Sequence, residues 1–401
     1  MKVGIDVLLE DRRLLDELAG CPVALLGHPA SVTRALKHSM DALAESQKVR
    51  LSSAFGPQHG MRGEKQDDMI ESGDYRDTSL GIPVFSLYGV VRRPTDEMMD
   101  TFEILLVDLQ DVGCRIYTFL TTLIYMLHAG ADKQKQVWIL DRPNPAGRPV
   151  EGPCLSMEWS SFVGAVPVPM RYGLTIGEIA KWYVHHFKLD VPVRVIPMKD
   201  YSPSKAPGFG WPVHELSWVN PSPNIPNLSA ARCFPGTVLV EGTNLSEGRG
   251  TTVPLQVLGA PRFQSRRVIE ELEKFSSDWL GGCRLRPCYF EPTFHKHSGE
   301  LVSALQIHVD DAAYVHNQFK PYRLVAGLLK MIKKVQPELL CWKEPPYEYE
   351  EERLPIDILN GSPFLREWLE DSAATAQDLE ERLSADERAW TEIARDFYLY
   401  P

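Results

Sequence analysis

Between Pro22 and Val195 the chain alternates short apolar runs, rich in β-branched and aromatic residues, with longer stretches whose apolar positions recur at helical spacing. PVALLGHP, VRLSSAFGP, IPVFSLYG, EILLVDLQD and QVWILDRP read as strands, and RALKHSMDALAES and FLTTLIYMLHAGADK as helices set among them. Such alternation predicts an α/β fold with a mostly parallel sheet covered by helices. VGIDVLL, directly after Met1, reads as another strand. Farther on, the helix TIGEIAKWYVHHF begins with Thr175 and Glu178 in capping-box positions, and VPVRVIPMKD follows as a strand.

From Tyr201 to Asn227 proline, glycine and tryptophan crowd together (YSPSKAPGFGWP, SWVNPSPNIPN), a composition that suits an ordered loop over a pocket. We place a domain boundary there, with one unit over residues 1–200 and a second over 201–401. The second unit opens with PGTVLVEGTNLSEGRGTT. It continues through the helix RRVIEELEKFSSDWL, the strands RLRPCYFEPTF and ALQIHV, and the helix YRLVAGLLKMIKKV. From Tyr347 onward an acidic tail carries two further helical patterns and reads as a solvated packing element. Internal repeats and low-complexity tracts are absent from the sequence.

Composition narrows the partners. With 401 residues and 44% hydrophobic content the chain can bury the cores of two domains, and its net charge of -11 disfavours nucleic acid and anionic membranes. An anionic ligand must therefore be met by a few local cations. The longest apolar-rich stretch, Phe102 to Val107, is far too short for a membrane span. No signal-peptide pattern follows Met1, so a cytoplasmic location is expected. Cys21, Cys114, Cys154, Cys233, Cys283, Cys288 and Cys341 are odd in number and scattered, as expected of free thiols in a reducing compartment.

Candidate chemistry gathers at strand ends, where open α/β sheets bind ligands. After VRLSSAFGP come Gln58, His59, Arg62 and Glu64 among three glycines, which permit close backbone approach to a ligand. After EILLV come Asp108, Asp111, Arg115 and Tyr117. Arg115 is a possible bidentate carboxylate clamp, or the ion-pair partner of an Asp108 that caps the next helix. The two aspartates resemble the start of a cation site, but no glycine-punctuated ligand loop follows, and no metal is expected. Asp141, Arg142 and Asn144 sit in a proline-stiffened loop suited to an N-acetylated sugar. Glu241, Asn244, Glu247 and Arg249 lie in a glycine-rich stretch able to nest an anion, without the GK[ST] ending of a phosphate loop.

In this order the blocks are more specific than any one of them. FGPxHGxRG, SLYG with RRPT, DLQDVGxRxYT, LDRPNPxGR with VEGP, PxPxRYGLTIGE, WxxPSPNIP and PGTxLVEGTNxSEGRGTT with GAP span about Val3 to Leu365. Together they resemble the NamZ/YbbC family of exo-β-N-acetylmuramidases. The resemblance implies a Rossmann-like amino-terminal domain, a smaller carboxy-terminal α/β domain and an active-site cleft between them. It also implies hydrolysis of β-linked N-acetylmuramic acid at the non-reducing ends of peptidoglycan fragments, with no organic cofactor. One position departs from the family: its first loop usually reads PEHG, with the glutamate as leading catalytic candidate, whereas this chain has Gln58. A carboxamide cannot exchange a proton near neutral pH.

Two outcomes follow from that departure. Either the acid has moved, with Glu64 as first choice ahead of Glu241, Glu247 and Asp108, or the chain binds amino sugars without cleaving them. In the first case His59, Asp111 and Tyr117 orient or polarise the reacting groups. Gln58, Arg62, Asp108, Arg115, Arg142, Asn144, Asn224, Asn244, Glu247 and Arg249 then contact the sugar, with Arg62, Arg115 or Arg249 clamping its lactyl carboxylate.

Overall fold

The structure is a computed structural model that describes residues 1–63 and 71–401. Its larger sheet holds β1 (Pro22–Gly27), β2 (Arg50–Gly56), β3 (Tyr75–Arg76), β4 (Pro83–Ser86), β5 (Ile104–Asp108), β6 (Gln136–Leu140) and β9 (Val193–Ile196) in the order β3-β4-β2-β1-β5-β6-β9. Every pairing is parallel except β3 with β4. The order runs outward in both directions from β1, so the switch point falls between β1 and β5, whose ends pair at Gly27 and Asp108. A crevice at such a point opens beyond the carboxyl ends of the strands. Between β6 and β9 the chain forms the hairpin pair β7 (Glu151–Cys154) and β8 (Pro169–Arg171).

The smaller sheet is antiparallel, with β10 (Val257–Ala260) and β11 (Arg284–Phe290) flanking β12 (Val302–His308). The helix Ser265–Ser276 packs on it, and Pro321–Val335 packs on that helix in turn. Alternate strand residues point to opposite faces, and β1 divides its apolar side chains accordingly. Val23 and Leu25 join Ile5, Leu8 and Met40 in one core, while Ala24 and Leu26 join a second that runs through Phe119, Tyr172 and Phe234 to Leu258, Leu305 and Leu329. The two sheets thus share one continuous apolar interior.

The last helix, Ala376–Arg395, lies back against the amino-terminal half: Trp390 donates to the Tyr172 carbonyl at 2.7 Å and packs edge-on to Trp182. Beyond it the Tyr400 hydroxyl donates to Asp141 at 2.6 Å, at the end of β6. Arg323 anchors the same helix through Glu380 at 2.8 Å and Glu387 at 2.6 Å.

The Thr175–Glu178 capping box forms as expected. The segment after Met1 does not form the expected strand; Gly4–Glu10 is a helix, with Asp6 accepting from the Val3 N–H at 3.2 Å and Ile5 and Leu8 buried together. A short apolar run fits either period, and the local cap decides it.

Candidate active site

A cleft lies where the carboxyl ends of β2 and β5 face loops of the carboxy-terminal half, and encloses about 710 Å³ including its solvent-filled mouth. Its first wall depends on Gly56. A Cβ there would come within 2.7 Å of the Met61 backbone nitrogen, so glycine lets the loop fold over the strand end. His59 (φ 70°) and Gly60 (φ 81°) take left-handed backbone in that turn, and the Gln58 and His59 side chains enter the cleft. Beside them Tyr117 immediately precedes the helix Thr118–Asp132, and Thr118 Oγ1 donates to Gln58 Oε1 at 2.8 Å.

His28 braces this wall against the next. Its Nε2 accepts from the Gln110 N–H at 2.8 Å, so the proton resides on Nδ1, which donates to the Pro221 carbonyl at 3.2 Å. Burial, reinforced by Arg142, holds the imidazole neutral, well below its ordinary value. The same loop brings Ser222 and Asn224 to the cleft.

The opposite wall is charged. Glu241 accepts from Arg249 at 2.6 Å and from the Tyr347 hydroxyl at 2.7 Å. Beneath it the fully buried Glu247 meets Lys296 at 3.0 Å, Arg249 at 3.2 Å and His295 at 3.4 Å. Burial pushes Glu247 up, but Lys296, Arg249 and His295 outweigh it and keep the carboxylate ionised. Asn244 fixes the segment leading to the cleft by donating to the Leu339 carbonyl at 3.0 Å and accepting from the Cys341 N–H at 2.9 Å. That segment carries Lys343, Tyr347 and Glu348 into the lining, and no ion pair of Lys343 occurs among the described residues. Glu348 accepts from the Tyr88 hydroxyl at 3.0 Å and from Gln58 Nε2 at 3.4 Å.

Of the residues picked from sequence, Gln58, His59, Tyr117, Asn224, Glu241 and Arg249 line this cleft, and Glu64 lies outside the described residues. Asp108 neither caps a helix nor meets Arg115; it takes Arg142 at 2.5 and 2.9 Å and Ser39 at 2.5 Å, so Asp108 and Arg142 neutralise each other in the interior. Arg115 is wholly buried and donates to the carbonyls of Leu359 and Asn360 at 3.1 and 2.9 Å, away from the lining. Arg62 pairs near the surface with Asp41 at 3.2 Å and Asp77 at 3.8 Å. Asn144 folds its own turn, donating to the Leu174 carbonyl at 2.9 Å and accepting from the Ala146 N–H at 2.9 Å. Asp111 sits behind the lining on Tyr172 and the Gly113 N–H, and burial pushes its carboxyl up to about 6.

Lys343, Tyr347, Glu348, His295, Ser222 and Thr118 were not among the sequence choices. Glu348 was hidden in an acidic run; the usable signal was the stiff Pro345-Pro346 pair that precedes Tyr347 and aims the run inward. Among the described residues no group of three or more His, Cys, Asp or Glu side chains is arranged to hold a metal ion, and no helix is long and apolar enough to cross a membrane.

Two adjoining family profiles match the chain. The one described as exo-beta-N-acetylmuramidase NamZ, N-terminal, matches residues 23–229, and its C-terminal counterpart matches residues 232–400. A Bacillus subtilis (strain 168) protein named peptidoglycan beta-N-acetylmuramidase NamZ is 39% identical over 339 residues, 84% of this chain and 78% of that protein. A crystal structure of a DUF1343 family protein from Bacteroides fragilis NCTC 9343 superposes with a TM-score of 0.85 at 27% identity, covering 100% of this chain and 99% of the other. A second protein of that description from the same organism gives 0.75 at 24% identity, covering 100% and 98%, and speaks for the fold alone.

Proposed function

The chain belongs to the exo-β-N-acetylmuramidase NamZ family and is a glycosidase; from that membership and the chemistry of the cleft, we propose that it releases N-acetylmuramic acid from the non-reducing ends of peptidoglycan fragments. The observation that carries the reading is one cleft holding two carboxyls, two amides and two cations: Glu241 and Glu348, Gln58 and Asn224, Arg249 and Lys343. Glycoside hydrolysis asks for a carboxyl acid and a second group at the anomeric carbon, which the substrate's own acetamide can supply. The amides suit the acetamido and hydroxyl groups, and the cations suit the lactyl carboxylate. His59 and Tyr117 complete the lining as groups that orient the sugar.

Of the acids raised from sequence, Asp108 is neutralised by Arg142, Glu247 by Lys296 and Arg249, and Glu241 by Arg249, with a further hydrogen bond from Tyr347. Glu64 remains a candidate. We assign the activity to wall-fragment recycling inside the cell, a reading supported by seven free thiols. The test is turnover of 4-nitrophenyl N-acetyl-β-muraminide. Release of nitrophenolate is expected; saturable binding of N-acetylmuramic acid without release would replace the enzyme with a sugar-binding protein.

A further inference from the structure

The loop position at which the resemblance leads one to expect a glutamate is not empty of carboxyl chemistry. The Gln58 carboxamide is oriented by Thr118, which donates to its oxygen at 2.8 Å, leaving its NH₂ to face Glu348 at 3.4 Å across the cleft. Glu348 is 8% exposed, and its second oxygen accepts from Tyr88 at 3.0 Å. Its backbone (φ 45°) and that of Tyr349 (φ 72°) are both left-handed. Two consecutive non-glycine residues in that region are held against steric preference, a condition that gathers at functional sites. Tyr349 is in turn fixed by the Arg92 guanidinium, 3.4 Å from its ring centre. We propose that Glu348 is the general acid of the glycosidase reaction, supplied from the carboxy-terminal wall to the loop position at which the resemblance implies a glutamate.

The environment suits the task. Burial pushes the Glu348 carboxyl up to about 7, helped by the nearby Glu241 charge and opposed by the Tyr88 and Gln58 hydrogen bonds. An acid of that strength is substantially protonated at neutral pH and still gives its proton up readily. In the acetamido-assisted course, the proton passes from Glu348 to the glycosidic oxygen as the C1–O bond breaks and the leaving sugar departs as an alcohol. The acetamido oxygen holds C1 meanwhile. Water then adds to C1 and gives a proton to the Glu348 carboxylate, the acetamide reforms, and one water has been consumed. Gln58 acts here as a positioning residue, holding the acid without competing for its proton.

The proposal rests on the glycosidase reading, and leaving-group dependence separates the two. Wild-type enzyme, Glu348→Gln, Gln58→Glu and the double exchange are compared on a muramyl-glucosamine disaccharide and on 2,4-dinitrophenyl N-acetyl-β-muraminide, whose leaving group needs no proton. Glu348→Gln is expected to lower kcat on the disaccharide by about 10²–10⁴-fold and far less on the dinitrophenyl substrate. The alkaline limb of its kcat/KM profile should vanish, and the double exchange should recover at least tenfold of the loss. Equal losses on both substrates, an unmoved alkaline limb, or loss confined to Glu64→Gln would overturn the assignment. If Glu348→Gln does not fold, Tyr88→Phe serves instead: removing a hydrogen bond that holds the pKa down must move the alkaline limb to higher pH, and an unmoved limb overturns the proposal. An inert wild type would sink the glycosidase reading itself.

Discussion

Replacing Lys343 by methionine tests how this cleft tells N-acetylmuramic acid from N-acetylglucosamine, which differ by a lactyl carboxylate. Arg249 is already engaged by Glu241 and Glu247, and Arg115 and Arg62 are occupied away from the lining, so among the described residues Lys343 is the cleft cation able to accept a new partner. At 4 Å and an effective dielectric of about 20, two unit charges attract by about 4 kcal/mol. Lys343 is only half-buried, and a hydrogen bond to a charged group, about 1.5–3 kcal/mol, is the better measure. At about 1.4 kcal/mol per decade the Lys343→Met variant should lose roughly 10- to 150-fold in kcat/KM on the muraminide. Little should change on the matching glucosaminide, because methionine keeps the stem and the backbone bond from Lys343 N to the Gly242 carbonyl at 3.0 Å is untouched. Raising the salt concentration should erode the wild-type preference, since an exposed pair is screened. Paired kinetics on the two nitrophenyl glycosides decide it. Equal losses on both would show that Lys343 shapes the wall without reading the carboxylate, and would return the role to Arg249.

Two further outcomes concern stability. Arg249→Met leaves the buried Glu247 with one cation fewer and Glu241 without its cation, and should cost about 3–5 kcal/mol of unfolding free energy, read from urea midpoints; a cost under 1 kcal/mol would mean that Lys296 and His295 suffice. Burial raises Asp111 to about 6 and Asp141 and Glu348 to about 7, from ordinary values near 4. Each therefore binds its proton more tightly folded than unfolded, and its stability contribution, full below about pH 4, is lost as pH rises to about 7. Glu348→Gln should flatten that decline in a series of denaturant midpoints against pH, and an unchanged slope would contradict the raised Glu348 value.

The sheet was legible because its strands are buried on both faces and read as short apolar runs with chemistry at their ends. Gln58, His59 and Tyr117 were found by that rule, and Arg249 by the glycine-rich loop that holds it. The rule gave less for Asp108, Arg142 and Arg115, because a polar residue at a strand end can equally neutralise a neighbour or tie down a carbonyl in the interior. Which of these happens depends on Ser39 and on Leu359 and Asn360, residues remote in sequence. Glu348 was illegible for a related reason. Its run of acidic neighbours matches a solvated surface, and only the three-dimensional meeting with Tyr88 and Gln58 buries it.

The return of the last helix and Tyr400 to the first sheet bears on how the protein is made. A ribosome releases the strands of that sheet long before Trp390 and Tyr400 exist to cover Trp182, Tyr172 and Asp141. During synthesis the early half must carry uncovered apolar surface and wait for its lid, the condition in which nascent chains aggregate or recruit chaperones. Expressed alone, residues 1–200 should therefore gather into inclusion bodies, and supplying residues 201–401 on a second chain should rescue them only if both emerge together.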